Sequence, residues 1–137
     1  MSPARSIDLV DVAAKRLRES GYKDADVKRL ADVSDGGIAV RRVPATTTGT
    51  YYDGTRNVSY LFQVAVARES ERQAIDECCN IAELLTHADL ASENGTYRLT
   101  STEVYTDPQE LEMTDSGITV WECRFRAIIT TNERTTV

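Results

Sequence analysis

Few side chains in this sequence have the type and spacing to do chemistry. His87 is the only histidine, so a nucleophilic triad or an imidazole metal site would have to be built around it. It falls where an amphipathic helix is expected to end, and a cationic side chain there also answers the negative end of the helix dipole. Cys78, Cys79 and Cys123 are odd in number and fall in an expected helix and strand, which reads as buried, reduced thiols rather than a disulfide frame. Asp24 and Asp26 have the close spacing of a calcium loop but lack its bend glycine and distal glutamate. Glu71, Asp76, Glu77 and Glu83 could pass for an acid–base cluster, yet they lie on the expected wet face of a helix. Gly36 and Gly37 are adjacent, and Gly49 and Gly54 stand in a Thr-rich stretch without the lysine of a phosphate loop. The residues therefore give no expected catalytic, cofactor or metal site.

The elements that would have to position any site are organised around Tyr51 to Leu85. Tyr60, Phe62, Val64 and Val66 alternate as one face of a strand, and the interleaved Leu61, Gln63, Ala65 and Ala67 are mostly apolar too, so something must cover both faces. Ser70 and Gln73 fit a capping box, and Ala74, Ile75, Cys78, Ile81, Ala82 and Leu85 then form one stripe of a helix. Before this stretch, Ser6 can cap a helix with Ile7, Val10, Ala13, Ala14 and Leu17 inward, closed by Gly21. Residues 22–37 read as irregular because four aspartates interrupt Val27, Leu30 and Val33. Ile38 to Val43 reads as a short strand ended by Pro44. Residues 45–57 read as a projecting loop, or a hairpin turning at Asp53 and Gly54.

A third strand is expected over Tyr97–Tyr105, and Pro108 with Glu110, Glu112 and Asp115 reads as an exposed connection. The last strand runs from Ile118 to about Thr130. Trp121, Cys123, Phe125, Ala127 and Ile129 point inward, and the opposite parity of Ile118 and Val120 suggests a bulge. Residues 131–137 read as a patternless tail. The expected fold is α+β, one domain over residues 1–137 with its core at about 7–130. A mostly antiparallel sheet of about four strands would carry two helices on one face, in the order αββαββ.

The 137 residues, 41% hydrophobic and 28% charged, match an ordinary globular domain rather than a fibre or a disordered chain. A formal charge of −6 argues against binding nucleic acid through phosphate neutralisation. No apolar run reaches the ~18 residues of a membrane span, and the first residues lack the apolar core of a secretory signal, so the chain is expected to stay where it is made. The surface is the remaining place to look for function. Leu61 and Ala65 lie on the strand face left without helices, Arg41 and Arg42 sit before the projecting segment, and Arg56 follows it. Arginines in an acidic chain suit forked contacts with a protein neighbour.

Several stretches together resemble the small tail terminator and minor capsid proteins of long-tailed, siphovirus-like bacteriophages. They are Ile38-Ala39-Val40-Arg41-Arg42-Val43-Pro44, Tyr52-Asp53-Gly54-Thr55-Arg56, Tyr60-Leu61-Phe62-Gln63-Val64, the stripe from Ala74 to Leu85, and the strand from Trp121 to Ile129. The resemblance implies a non-enzymatic virion protein of the tail and neck, assembled in the host cytoplasm. Its subunits would form a homohexameric ring on the head-proximal end of the tail tube. The implied partners are other copies of the chain, the tail tube protein and a head–tail connector or stopper protein. DNA would pass through the ring without specific binding. By this resemblance Tyr51, Tyr52, Asp53 and Arg56 are interface candidates, beside Arg41, Arg42, Leu61 and Ala65. A head completion or connector role in the neck, and a small ligand-binding or enzymatic domain, are the alternatives.

Overall fold

The computed structural model of this chain describes residues 6–33, 35–44 and 55–132, with side chains at all of these except 55, 56 and 132. Helix α1 runs from Leu9 to Glu19 and buries Leu9, Val10, Val12, Ala13, Ala14 and Leu17. Its end follows from Gly21 at φ +105°. That left-handed residue lets the Gly21 N–H reach the Arg18 carbonyl and the Tyr22 N–H reach the Leu17 carbonyl, closing the open end of the helix. The start differs from expectation. Asp8, not Ser6, is the capping position, and its carboxylate is taken by the far loop, accepting from the Ser92 hydroxyl at 2.7 Å and the Glu93 N–H at 2.9 Å. A local cap has been traded for a tie across 84 residues of chain.

Helix α2, Glu71–His87, starts where Ser70 accepts from the Gln73 N–H at 3.3 Å. It buries Ala74, Cys78, Ile81, Ala82 and Leu85, while Ile75 is only half-buried. Both helices lie on one face of the sheet, against Val58, Tyr60, Phe62, Val64 and Val66 and their neighbours in a single apolar core.

That sheet has five strands, in the order β1-β2-β3-β5-β4: β1 Ala25–Val27, β2 Gly37–Val43, β3 Thr55–Arg68, β4 Arg98–Met113 and β5 Thr119–Asn132. It is mixed rather than wholly antiparallel, because β1 runs parallel to β2. The stretch expected to be irregular holds this extra strand and the 3-10 turn Leu30–Val33. Ala-Asp-Val is too short to show a period. Gly36 and Gly37, both at positive φ, bring the chain back into β2; a Cβ on Gly36 would sit 3.6 Å from the Ala67 carbonyl oxygen.

β3 and β5 pair over fourteen consecutive positions without a shift, from Thr55 opposite Asn132 to Arg68 opposite Thr119. The expected bulge near Val120 is therefore absent from this pairing. Ile118 and Val120 keep their parity because the opposite face also has a small apolar cluster at this end, with Val33, Ala39, Ala65 and Ala67. Irregularity appears instead where β4 pairs β5, with four register shifts. Sixteen residues of β4 lie along the shorter stretch Thr119–Thr130, so the extra residues bow this outer strand. Pro108, Glu110 and Glu112 belong to β4 rather than to a loop, since an edge strand tolerates a missing N–H, while Asp115 lies in the turn that follows. Thr131 and Asn132, expected in the tail, continue β5.

Arg68 locks the far end of β3. It grips Glu77 of α2 through Nε at 2.8 Å and Asp24 before β1 through a terminal nitrogen at 2.6 Å, and these carboxylates push its pKa up. Asp26 instead faces Arg18 at 3.6 Å, so the two aspartates of the supposed calcium loop serve separate ion pairs.

At the centre, Phe62 and Phe125 stack across β3 and β5 with centroids 5.0 Å apart. Phe62→Ala should lower unfolding free energy by about 3–5 kcal/mol. The check is denaturant unfolding followed by circular dichroism, where the midpoint should fall while the slope stays the same.

Candidate interaction surface

The face of the sheet opposite the helices is polar in its middle. Gln63 of β3 stands opposite Arg124 of β5, and Glu122 lies two residues along β5 on the same face. Glu122 is 1% exposed, yet both of its oxygens have donors. Gln63 Nε2 and Arg124 Nε, the latter at 3.0 Å, donate to Oε1, and Gln109 Nε2 donates to Oε2 at 2.9 Å. Burial pushes the carboxyl up, but the Gln109, Gln63 and Arg124 hydrogen bonds and the guanidinium charge outweigh it and hold Glu122 below the usual glutamate range. A buried, ionised carboxylate with neither oxygen open joins β3, β4 and β5; it has no free oxygen to offer a substrate.

Around this centre the face changes character along its length. Toward the 3-10 turn it closes over Ala39, Ala65 and Ala67, with Leu30 and Leu111 packed at the margin. Toward the other end Val43, Leu61 and Ile128 are only half-buried, interleaved with half-buried Arg126, and no element of the described chain covers them. Arg126 donates to Glu103 Oε1 at 2.6 Å and its guanidinium lies 5.8 Å from the centre of the Tyr105 ring, which is 56% exposed.

The sequence-derived interface candidates do not all reach this surface. Arg41 is exposed at the end of β2 on the helix-free face, opposite Gln63, and Leu61 is nearby opposite Val43. Arg42 takes the other face, where its guanidinium stands 5.7 Å from the Tyr60 ring centre; burial pushes the Tyr60 phenol up to about 12. Ala65 is fully buried by its own chain and has no surface left for a neighbour. Tyr51, Tyr52 and Asp53 lie outside the described residues; Arg56 is described only as backbone, opposite Thr131 in β3.

Sequence reasoning missed Gln63 and Glu122. Their signal was a polar residue in the middle of an apolar run on each of two strands, with the parity of the face that lacks helices. The remaining candidate chemistry disperses. His87 is exposed on the last turn of α2 and stands 3.8 Å from Glu83. Cys78 and Cys123 are buried neighbours, and Cys78 together with burial pushes the Cys123 thiol well up; Cys79, expected to be buried, is exposed. Among the described residues no three His, Cys, Asp or Glu side chains are grouped to hold a metal, and no helix is long and apolar enough to cross a membrane.

The family model described as bacteriophage tail terminator protein matches residues 18–131. This chain belongs to that family. It is thus a structural tail protein of a phage, and its place is the tail and neck of the virion. No curated protein matches it. Among solved structures it is similar to a chain in the virion of a native gene transfer agent particle, with 17% identity and a TM-score of 0.54. The match covers 87% of this chain and 84% of that one, and it extends to the fold alone. The match runs from the end of α1 through all five strands and α2, and so takes in the elements that build the helix-free face.

The Glu122 cluster has a pH signature. A carboxylate held below its unfolded pKa stabilises the fold above the ordinary glutamate value of about 4.3, and that contribution is lost as pH falls through the folded value. Glu122→Gln, which keeps the shape and drops the charge, should be less stable at neutral pH by about 2 kcal/mol. The difference from the parent should shrink below about pH 4. Paired unfolding curves across that range measure it.

Proposed function

We propose that this chain is the tail terminator of its phage, a non-enzymatic subunit without a cofactor, which closes into a ring on the head-proximal end of the tail tube. One surface of the ring halts tube growth, and another meets the head connector or stopper protein. The mechanism is geometric: binding energy fixes the ring on the tube end, where it presents a different surface to the next component.

The observation that carries this reading is the outer part of the helix-free face. Val43, Leu61 and Ile128 are half-buried there beside Arg41 and Arg126, on a rigid ladder that ends next to the segment joining β2 and β3. Apolar side chains interleaved with arginine are the composition of protein interfaces rather than of an idle surface. The net charge of −6 suits a channel through which DNA slides, because a wall without a cationic surplus does not grip phosphates.

Tyr51, Tyr52 and Asp53 of the β2–β3 connection, with Arg56 at the start of β3, remain the proposed contacts with the tube or an adjacent subunit. Since β3 begins at Thr55, a clean test removes residues 45–54 and joins the strands with a short glycine-serine turn. The variant should keep the parent's circular dichroism and lose capping of tail tubes by roughly thirtyfold or more, the loss expected when hot-spot side chains go. Capping at the parental level would remove the segment from the mechanism. Particles made without the protein decide its position: overlong tails are expected, whereas filled heads without tails beside normal free tails would place it in the connector instead.

A further inference from the structure

Several carboxylates around the sheet are matched within the chain. Asp24 is held by Arg68, Asp26 by Arg18, Asp32 by Arg29 and Glu103 by Arg126. The two open edges of the sheet carry charges that are not matched in this way. Among the described residues β1 covers the outer side of β2 only as far as Val40, so Arg41 and Arg42 project from an edge that no described element covers, one on each face, both exposed and without an ion pair among the described residues. On the opposite edge, the second half of β4 and the turn after it carry Asp107, Glu110, Glu112 and Asp115, all exposed and likewise without an ion pair among the described residues, while the exposed Arg98 stands at the other end of β4. Glu112 has the parity of the helix-free face and Glu110 that of the helix face, so the carboxylates too are divided between both faces.

Cationic and anionic edges on opposite sides of one sheet are complementary between copies and not within one. β2 and β4 are separated by β3 and β5, about 14 Å of sheet at the usual strand spacing, which is too far for their side chains to meet in the same molecule. We infer that the β4 edge of one copy docks on the Arg41–Arg42 edge of the next, giving the head-to-tail contact that closes the ring. The inference rests on the ring reading above and specifies which surfaces make it.

The occupant is a second copy because one chain supplies both halves of the match. A contact between two different patches is heterologous and generates a ring when its rotation closes. Side chains rather than a continued ladder make the joint: Pro108 and the four register shifts of β4 spoil its outer hydrogen-bonding row. The charged rows are also offset, since on the helix-free face Arg41 lies level with Arg124 while Glu112 lies level with Val120. Four residues amount to about 13 Å, so a copy docks shifted along the strands.

Charge reversal tests it. Arg41→Glu and Glu112→Arg, which reverse the charges of the two edges on the same helix-free face, both change exposed side chains and should leave thermal unfolding within about 0.5 kcal/mol of the parent. Each alone should weaken assembly at least about tenfold, measured by mass photometry and particle imaging with and without tail tubes. The mixture of the two variants should assemble, because each reversed edge meets the other's reversed edge and each intact edge an intact one. The double variant should recover for the same reason. Raising salt from about 0.1 M to about 1 M, which cuts the screening length from about 10 Å to about 3 Å, should weaken parental assembly.

Rings from the parent chain that are indifferent to both reversals would overturn the edge assignment and leave the ring reading standing. So would loss of assembly in both single variants without recovery in the mixture or the double variant. A parent chain that stays monomeric even on tail tubes would sink both readings.

Discussion

The unbroken ladder between β3 and β5 is the constraint from which the other features follow. Fourteen paired residues make the longest continuous contact in the sheet; its helix-side face is largely apolar, and on its other face apolar side chains flank the buried polar Gln63 and Glu122. A strand of this kind cannot be left wet on either side without exposing large apolar area at about 25 cal/mol per Å2. The helices answer for the face with Phe62 and Phe125. On the other side the described residues supply only a 3-10 turn, a bowed edge strand and a handful of small side chains. Coverage there runs out partway along the ladder.

What takes over in the middle is an ionised carboxylate instead of more hydrocarbon. Removing a charge from water is costly, and it is tolerated here because three donors converge on the two oxygens of Glu122. The donors come from β3, β4 and β5, so the cluster also fixes how the bowed β4 lies against its neighbours. A register slip of one residue would turn Glu122 into the apolar core and Cys123 or Phe125 out of it, which makes the network a specificity device as much as a stabilising one. The same slip would displace the half-buried Leu61 and Ile128 from the outer face. Folding and the proposed assembly surface therefore depend on the same register.

The edges follow from the same geometry. Because β1 is only three residues long, it protects part of β2 and leaves the arginine pair open. Because β4 has four more residues to place than its partner stretch of β5, it bulges, carries a proline without penalty and resists sheet-to-sheet growth. A subunit that closes into the proposed ring has to avoid unlimited strand addition while still meeting a neighbour, and the proposed docking of a bowed acidic edge on a short basic one meets both demands. Family membership places the chain in the phage tail; the division of charge describes how one subunit could recognise the next.

Periodicity alone determined both helices, the inward faces of β3 and β5, the closure at Gly21 and the packing of the helices on one side, because each of these is fixed by neighbours a few residues away. The sheet face taken by Arg41 and Leu61 was legible for the same reason, as residues of known parity beside a break in pattern. Only the tertiary structure decided that Ala65 is covered, that β4 runs through Pro108, that a three-residue strand joins the sheet, and that Gln63, Gln109 and Glu122 converge. Those facts depend on pairings between residues 13 to 59 apart in the chain, as from Gln109 and from Gln63 to Glu122. Local propensity carries no information about which distant strand will lie alongside, and burial of a polar residue becomes favourable only once the donors that satisfy it have been brought there.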